Sequence, residues 1–276
     1  MSNIYLKGIF LLFVVSFVLM SLQPNVYAKT VPSLCRIKHP SDEKVETECR
    51  RLKKGETLES LFGDRWTDVA RFNRIDRRHI YTGVYIKVPG NLEDIANFTP
   101  MPQHYQPAED DAKFILVDLS EQFLGAYEYG RLVFSAPVAT GDGENETPTG
   151  EFRISAADSH HMSSLYFIEK TEKLYPMHYA LRFHVDREGV AFWIHGRDVP
   201  GYPASHGCIG LYDEEMQKEY YGSPKKPLLE DAKALFDWVI SPNTDDGRYH
   251  IVQDGPRLVI TGQAPGIGPR KSSSPK

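Results

Sequence analysis

The sequence predicts a mainly β fold with few helices, joined to a small α+β unit of strand–helix–helix–strand order. Three observations carry this. From Lys113 onward, short apolar runs rich in Val, Ile, Phe and Tyr are separated by turn residues. Only one long stretch there, Leu228–Ile240, repeats apolar residues at helical spacing, with Leu229, Ala232, Leu235, Phe236 and Val239 on one stripe. Between residues 48 and 90, two short helical patterns lie between strand-like ends.

In chain order, Lys7 precedes an apolar run from Ile9 to Met20, which is short for a membrane span, and Val26-Tyr27-Ala28 follows. Residues 1–28 read as a secretory signal peptide, with an uncleaved anchor as the alternative. Both readings place the bulk of the chain outside the cytoplasm, in the periplasm or cell envelope, with no stable membrane span once the signal is removed. Its removal takes away Lys7, so 32 cations become 31 against 37 acids and the net charge moves from −5 to −6. An acidic chain without a basic run argues against nucleic acid as a partner.

Three cysteines are present, Cys35, Cys49 and Cys208. In an oxidising compartment the simplest partition is a Cys35–Cys49 disulfide, closing a loop of about fifteen residues and worth roughly 3 kcal/mol. Cys208 is then the odd thiol, either a reactive group or a core residue.

After an N-terminal segment, 29–47, Gly55 turns a strand-like start into a short helix that Thr57 caps. Trp66, Val69, Ala70 and Asn73 mark a second helix, and Tyr85-Ile86-Lys87-Val88-Pro89 alternates like a strand. Gly55-Glu56-Thr57-Leu58, Asn73 and Tyr81-Thr82-Gly83 before Ile86-Lys87-Val88-Pro89 resemble a LysM module over residues 48–90, which implies binding of peptidoglycan glycan strands; a packing unit without ligand is the alternative. The run Asp76-Arg77-Arg78-His79 and the turn at Gly63-Asp64 depart from that pattern. Residues 91–112, with three prolines and no apolar period, read as a linker.

Strands are expected at Phe114–Val117, Phe123–Tyr127, Leu132–Thr140 with an edge or bulge at Pro137, Glu151–Ser155, Ala180–His184, Val190–His195, Tyr249–Val252 and Arg257–Thr261. Residues 156–178 carry no readable motif. The tail, 263–276, is rich in Gly, Pro and Ser and reads as disordered.

The chemistry concentrates in Ser205-His206-Gly207-Cys208-Ile209-Gly210. His195 ends the apolar strand Ala191-Phe192-Trp193-Ile194, and the turn-rich connection Gly196–Ala204 can fold it back onto Cys208 as base to nucleophile. Gly207 lets the backbone approach closely, so amides around Gly207 and Cys208 are candidate oxyanion donors. His160, His161, His178 and His184 show no metal-ligand spacing, and a zinc site from His195, His206 and Cys208 is the remaining metal alternative.

His195-Gly196, Ser205-His206-Gly207-Cys208-Ile209 and Thr147-Pro148-Thr149-Gly150 resemble the catalytic domain of L,D-transpeptidases, the YkuD family, over residues 113–262. The resemblance implies a β-sandwich-like domain that uses no cofactor and acts on peptidoglycan stem peptides. Cys208 would form a thioester at the L-centre of diaminopimelate and release D-alanine; His195 would be base and then acid. The Gly196 carbonyl would orient the imidazole, Ser205 and His206 would shape the loop, and His206 through Cys208 would supply oxyanion donors. An amine acceptor would give a cross-link, water a carboxypeptidase. Gly210 stands where the family usually has arginine or asparagine, which implies a missing substrate-orienting contact and leaves a wall-binding scaffold as a further alternative. The connection from His195 to Ser205 is also shorter than in many members.

Overall fold

The computed structural model describes residues 33–143 and 145–266. The expected signal peptide lies outside the described residues, as does the tail from residue 267. Strand β1 (Thr47–Arg51), helices α1 (Leu58–Phe62) and α2 (Trp66–Phe72) and strand β2 (Tyr85–Pro89) follow in the expected order, and β1 pairs antiparallel with β2. Thr57 caps α1, its Oγ1 accepting the Ser60 amide at 3.2 Å while the Ser60 hydroxyl accepts the Thr57 amide at 2.9 Å. The Cys35–Cys49 disulfide is formed and ties the preceding segment to this strand pair.

Residues 91–112, expected as a linker, are packed. Ile95, Met101 and Ala108 are buried, and the Phe98 ring meets Phe72 and Phe123 edge-on at 5.0 and 5.9 Å. Single apolar anchors spaced through irregular backbone leave no period to read, so composition alone misassigns such a segment.

The remaining strands are β3 (Phe114–Asp118), β4 (Phe123–Glu128), β5 (Arg131–Pro137), β6 (Gly150–Arg153), β7 (Ala156–Asp158), β8 (Met162–Phe167), β9 (Leu174–Pro176), β10 (Ala180–Val185), β11 (Ala191–Gly196) and β12 (Ile209–Leu211). Helices α3 (Glu214–Tyr221) and α4 (Asp231–Ile240) precede β13 (His250–Ile251) and β14 (Arg257–Thr261). One five-stranded sheet runs β5-β4-β3-β14-β6 and a second β12-β11-β10-β7-β13. Pairing is antiparallel except for β3 with β14 and β11 with β12. Ile115, Val117, Leu124 and Ala126 of the first sheet, Leu181, Phe183, Ile194 and Ile209 of the second, and Leu235, Phe236 and Val239 of α4 form one core. The predicted β-sandwich-like architecture is thus present, with α4 covering the same core. Pro137 ends β5, an edge strand, where a missing ladder amide costs nothing. Among the described residues no helix is long and apolar enough to cross a membrane.

The β8–β9 hairpin falls in the stretch without readable motif, and α3 was not anticipated. Its signals are terminal: the Asp213 side chain accepts the Met216 amide at 2.9 Å, and Gly222 closes the helix in the left-handed region. Only Met216 supplies an apolar buried position, too few for a stripe.

The N-terminal unit does not stand apart from the sandwich. Val69, Ala70, Phe72 and Ile75 share a core with Ala139, Val199, Tyr212 and Leu229. The charged run that departs from the LysM pattern is the contact. Asp76 is fully buried; its Oδ2 accepts the Val199 amide at 2.7 Å and Gln217 Nε2 at 2.9 Å, and its Oδ1 accepts the His79 amide at 3.0 Å and faces His79 Nδ1 at 2.7 Å. Arg77 forks onto Glu214, and Arg78 onto Asp198. Arg74, 1% exposed, lies among Glu121, Asp42 and Ser41 with its plane against Phe98 and Phe123. Removing one partner of such a buried set leaves the others uncompensated. Asp76→Ala is therefore expected to lower the urea unfolding free energy by about 3 kcal/mol, in a single transition common to tryptophan fluorescence and far-UV circular dichroism; two separate transitions in the wild type would contradict the shared core.

Candidate active site

The run Ala191-Phe192-Trp193-Ile194 makes β11 because β-branched and aromatic residues suit a strand with both faces covered. It pairs in parallel with β12, Ile194 opposite Ile209 and His195 opposite Gly210. One step back along this register, Trp193 stands beside Cys208. Side chains alternate along a strand, so Ile194, Ile209 and Leu211 enter the core while Trp193, His195, Cys208 and Gly210 share the other face. Cys208 there contacts the cluster of Trp193, Met177 and Ala180. Cys208, the residue before β12, thus lies on the His195 side of the sheet, one diagonal step along the register.

His195 is buried, and its Nδ1 lies 2.8 Å from the Gly196 carbonyl oxygen. A carbonyl only accepts, so Nδ1 carries the proton and Nε2 keeps its lone pair. Burial and the nearby Arg197 charge lower the imidazole pKa to about 3, against the pull of the Gly196 carbonyl. Cys208 is a free thiol, partly exposed. Burial pushes it up, while a hydrogen bond from the Trp193 backbone and the Arg197 charge act the other way. Both groups are therefore neutral at rest.

Ser205 fastens the Cys208 loop. Its hydroxyl donates to the Cys208 carbonyl at 2.5 Å and accepts the Gly207 amide at 3.1 Å. The Gly207 amide, expected as an oxyanion donor, is thus already engaged, whereas among the described residues no hydrogen-bond partner takes the amides of His206 and Cys208. Gly207 has φ +100°, and a Cβ there would come 2.5 Å from the Phe192 ring, so the position demands glycine. Thr147, singled out within Thr147–Gly150, donates its hydroxyl to the Gly207 carbonyl at 3.0 Å and accepts the Gly141 amide at 2.9 Å. His206 is exposed and stacks on Tyr166 at 4.5 Å, which brings the β8–β9 hairpin to the site. The other histidines serve packing and pairing, His161 against Trp193 at 4.3 Å and His184 against Phe192 at 5.6 Å.

Two further placements were not legible. Among the described residues, three metal-type ligands converge within 4.8 Å at Asp76, His79 and Asp198, and not at His195, His206 and Cys208; the oxygens of the former trio are occupied by Val199, Gln217 and Arg78. The space left by the absent side chain at Gly210 is occupied. A Cβ at Gly210 would fall 1.9 Å from Cγ and Cδ of Arg197, whose side chain lies over the glycine. Its Nε donates to the Asp198 carbonyl at 3.2 Å and its Nη2 to the Ala204 carbonyl at 3.1 Å.

The profile of the YkuD L,D-transpeptidase catalytic domain matches residues 112–260, more than half of the chain. Among curated proteins none matches. Solved structures similar to the chain include an L,D-transpeptidase from Xylanimonas cellulosilytica, 22% identical over 77% of this chain and 98% of that one, TM-score 0.43. Another, from Stackebrandtia nassauensis, is 19% identical over 74% of this chain and 70% of that one, TM-score 0.40. L,D-transpeptidase 1 of Mycobacterium tuberculosis is 18% identical over 54% of this chain and 60% of that one, TM-score 0.34. All three TM-scores lie below 0.5, so membership rests on the profile match. On that match, over the segment that folds into the sandwich and carries His195 and Cys208, the chain belongs to the YkuD family of L,D-transpeptidase catalytic domains.

Proposed function

We propose that this chain is a peptidoglycan L,D-transpeptidase of the cell envelope that works through a thioester on Cys208. The observation that supports the reading most is the placement of Cys208 and His195 as neighbours on one sheet face, with Nε2 of the imidazole free to accept a proton. The Cys208 sulfur attacks the carbonyl at the L-centre of diaminopimelate in a tetrapeptide stem. The S–C bond forms, the C–N bond to the terminal D-alanine breaks, and the thiol proton passes through His195 Nε2 to the departing amine. An amine of a second stem then attacks the thioester; its C–N bond forms as the C–S bond breaks, and its proton returns through His195 to the sulfur. The amides of His206 and Cys208 are the donors for the oxyanion in both steps.

Neutral resting groups imply that proton transfer accompanies attack, in place of a preformed thiolate–imidazolium pair. The N-terminal unit serves as a brace in this reading, because its run Asp76–His79 is spent on contacts to Val199, Glu214 and Asp198.

Mass spectrometry of disaccharide-tetrapeptides incubated with the full-length protein is expected to show D-alanine release and a cross-linked dimer. Cys208→Ala abolishes both, and His195→Asn lowers the rate by roughly 10²–10⁴-fold. Release of D-alanine without dimer would assign the centre to carboxypeptidase chemistry, and no product at all would overturn the reading.

The pH dependence is separately diagnostic. Since His195 is neutral down to about pH 3, kcat/KM is expected to stay level below the ordinary histidine value of roughly 6.5. Because burial raises the Cys208 thiol, its alkylation by iodoacetamide should climb only above the ordinary thiol value of about 8.5, with no plateau at low pH. A bell-shaped kcat/KM profile with an acid limb near neutrality, or a fast low-pH alkylation plateau, would show an ion pair instead.

A further inference from the structure

Gly210 and Arg197 form a complementary pair. Gly210 lies in β12 opposite His195, two residues beyond Cys208, which directly precedes that strand. The Cγ and Cδ methylenes of Arg197 fill the space into which a side chain at 210 would project. The Arg197 side chain thus crosses the strand over Gly210, with its Nε 3.2 Å from the position of such a Cβ, and its charge acts on both His195 and Cys208. Any side chain at 210 would evict it.

The other arginines packed between the N-terminal unit and the sandwich each face a carboxylate: Arg71 with Asp231, Arg74 with Glu121, Arg77 with Glu214 and Arg78 with Asp198. Arg197 differs. Only backbone carbonyls of Asp198 and Ala204 hold it, and among the described residues no carboxylate lies within ion-pair distance. Two carbonyls fix the orientation of the planar fork without neutralising it, leaving Nη1 unspent. Such a cation works against the free enzyme, because it opposes protonation of the base that must receive the thiol proton. It becomes favourable once an anion binds it, since the bound anion cancels that opposition as the proton moves.

Resting on the acyl-transfer reading above, we propose that Arg197, seated across Gly210, is the specificity-determining receptor for the α-carboxylate of the leaving D-residue. The donor then has to end one residue beyond the scissile carbonyl in a free carboxylate. A forked, charge-assisted contact fits that group and not an amide.

The test compares disaccharide-tetrapeptide with its C-terminally amidated form, using the full-length protein and following release of the terminal residue. Wild type is expected to prefer the free acid by about 10–100-fold in kcat/KM. In Arg197→Gln the preference collapses towards unity, chiefly through KM for the acid, and Gly210→Leu shifts it in the same direction. The exchange Arg197→Gly with Gly210→Arg sends an arginine into the same space from the other side and restores the preference; a single urea unfolding transition shared by tryptophan fluorescence and far-UV circular dichroism in each variant verifies that it is folded. An acid-to-amide ratio equal in wild type and Arg197→Gln overturns this inference alone. Turnover of neither form by wild type overturns the acyl-transfer reading, and this inference with it.

Discussion

The parallel pairing of β11 with β12 is the constraint on which the site depends. It sets Gly210 opposite His195 and so brings Cys208, the residue before β12, against Trp193. Parallel neighbours need a crossover, usually a helix of a dozen or more residues packed on the sheet. Here the crossover, residues 197–208, is at the lower end of that length, turn-rich and without a helix. It must be held from outside. Val199 exchanges backbone and side-chain hydrogen bonds with Asp76, Asp198 meets Arg78, and Ala204 and Ser205 both donate to the Thr140 carbonyl. The shortened connection is thus compensated by the N-terminal unit on one side and by the continuation of β5 on the other.

The bracing contacts are mostly buried ion pairs, and these are weak evidence for stability in themselves. Desolvating Asp76, Arg74 or Glu214 costs several kcal/mol per ion, which the partners largely offset. What such pairs provide is a penalty for every other arrangement. A rotated or displaced N-terminal unit would strand Asp76 without the Val199 amide and Gln217, whereas an apolar contact tolerates sliding. A site whose two reacting groups sit on different strands needs that intolerance more than it needs extra net stability.

Most of this was legible in the sequence wherever local pattern and position in space coincide. Cys208 stood out by cysteine parity and its glycine-flanked loop, His195 by ending an apolar strand, and Thr57 by its capping position. The losses have physical causes. Helix α3 has one buried apolar residue, so only its caps announce it. Residues 91–112 anchor by isolated side chains such as Ile95 and Met101, which no period reveals. Gly207 was rightly read as a point of close approach, but its amide is consumed by Ser205, a detail of hydroxyl direction that composition does not encode.

Gly210 shows why a motif position should be judged with its neighbours in space. Taken by itself, a glycine in place of a long polar residue reads as a loss. Residue 197 follows His195 by two and residue 210 follows Cys208 by two, so in the paired strands the two positions converge, and the volume surrendered at one is filled from the other. The arginine follows directly on the end of β11, the strand that carries His195. Its charge adds to burial in lowering the proton affinity of the His195 imidazole.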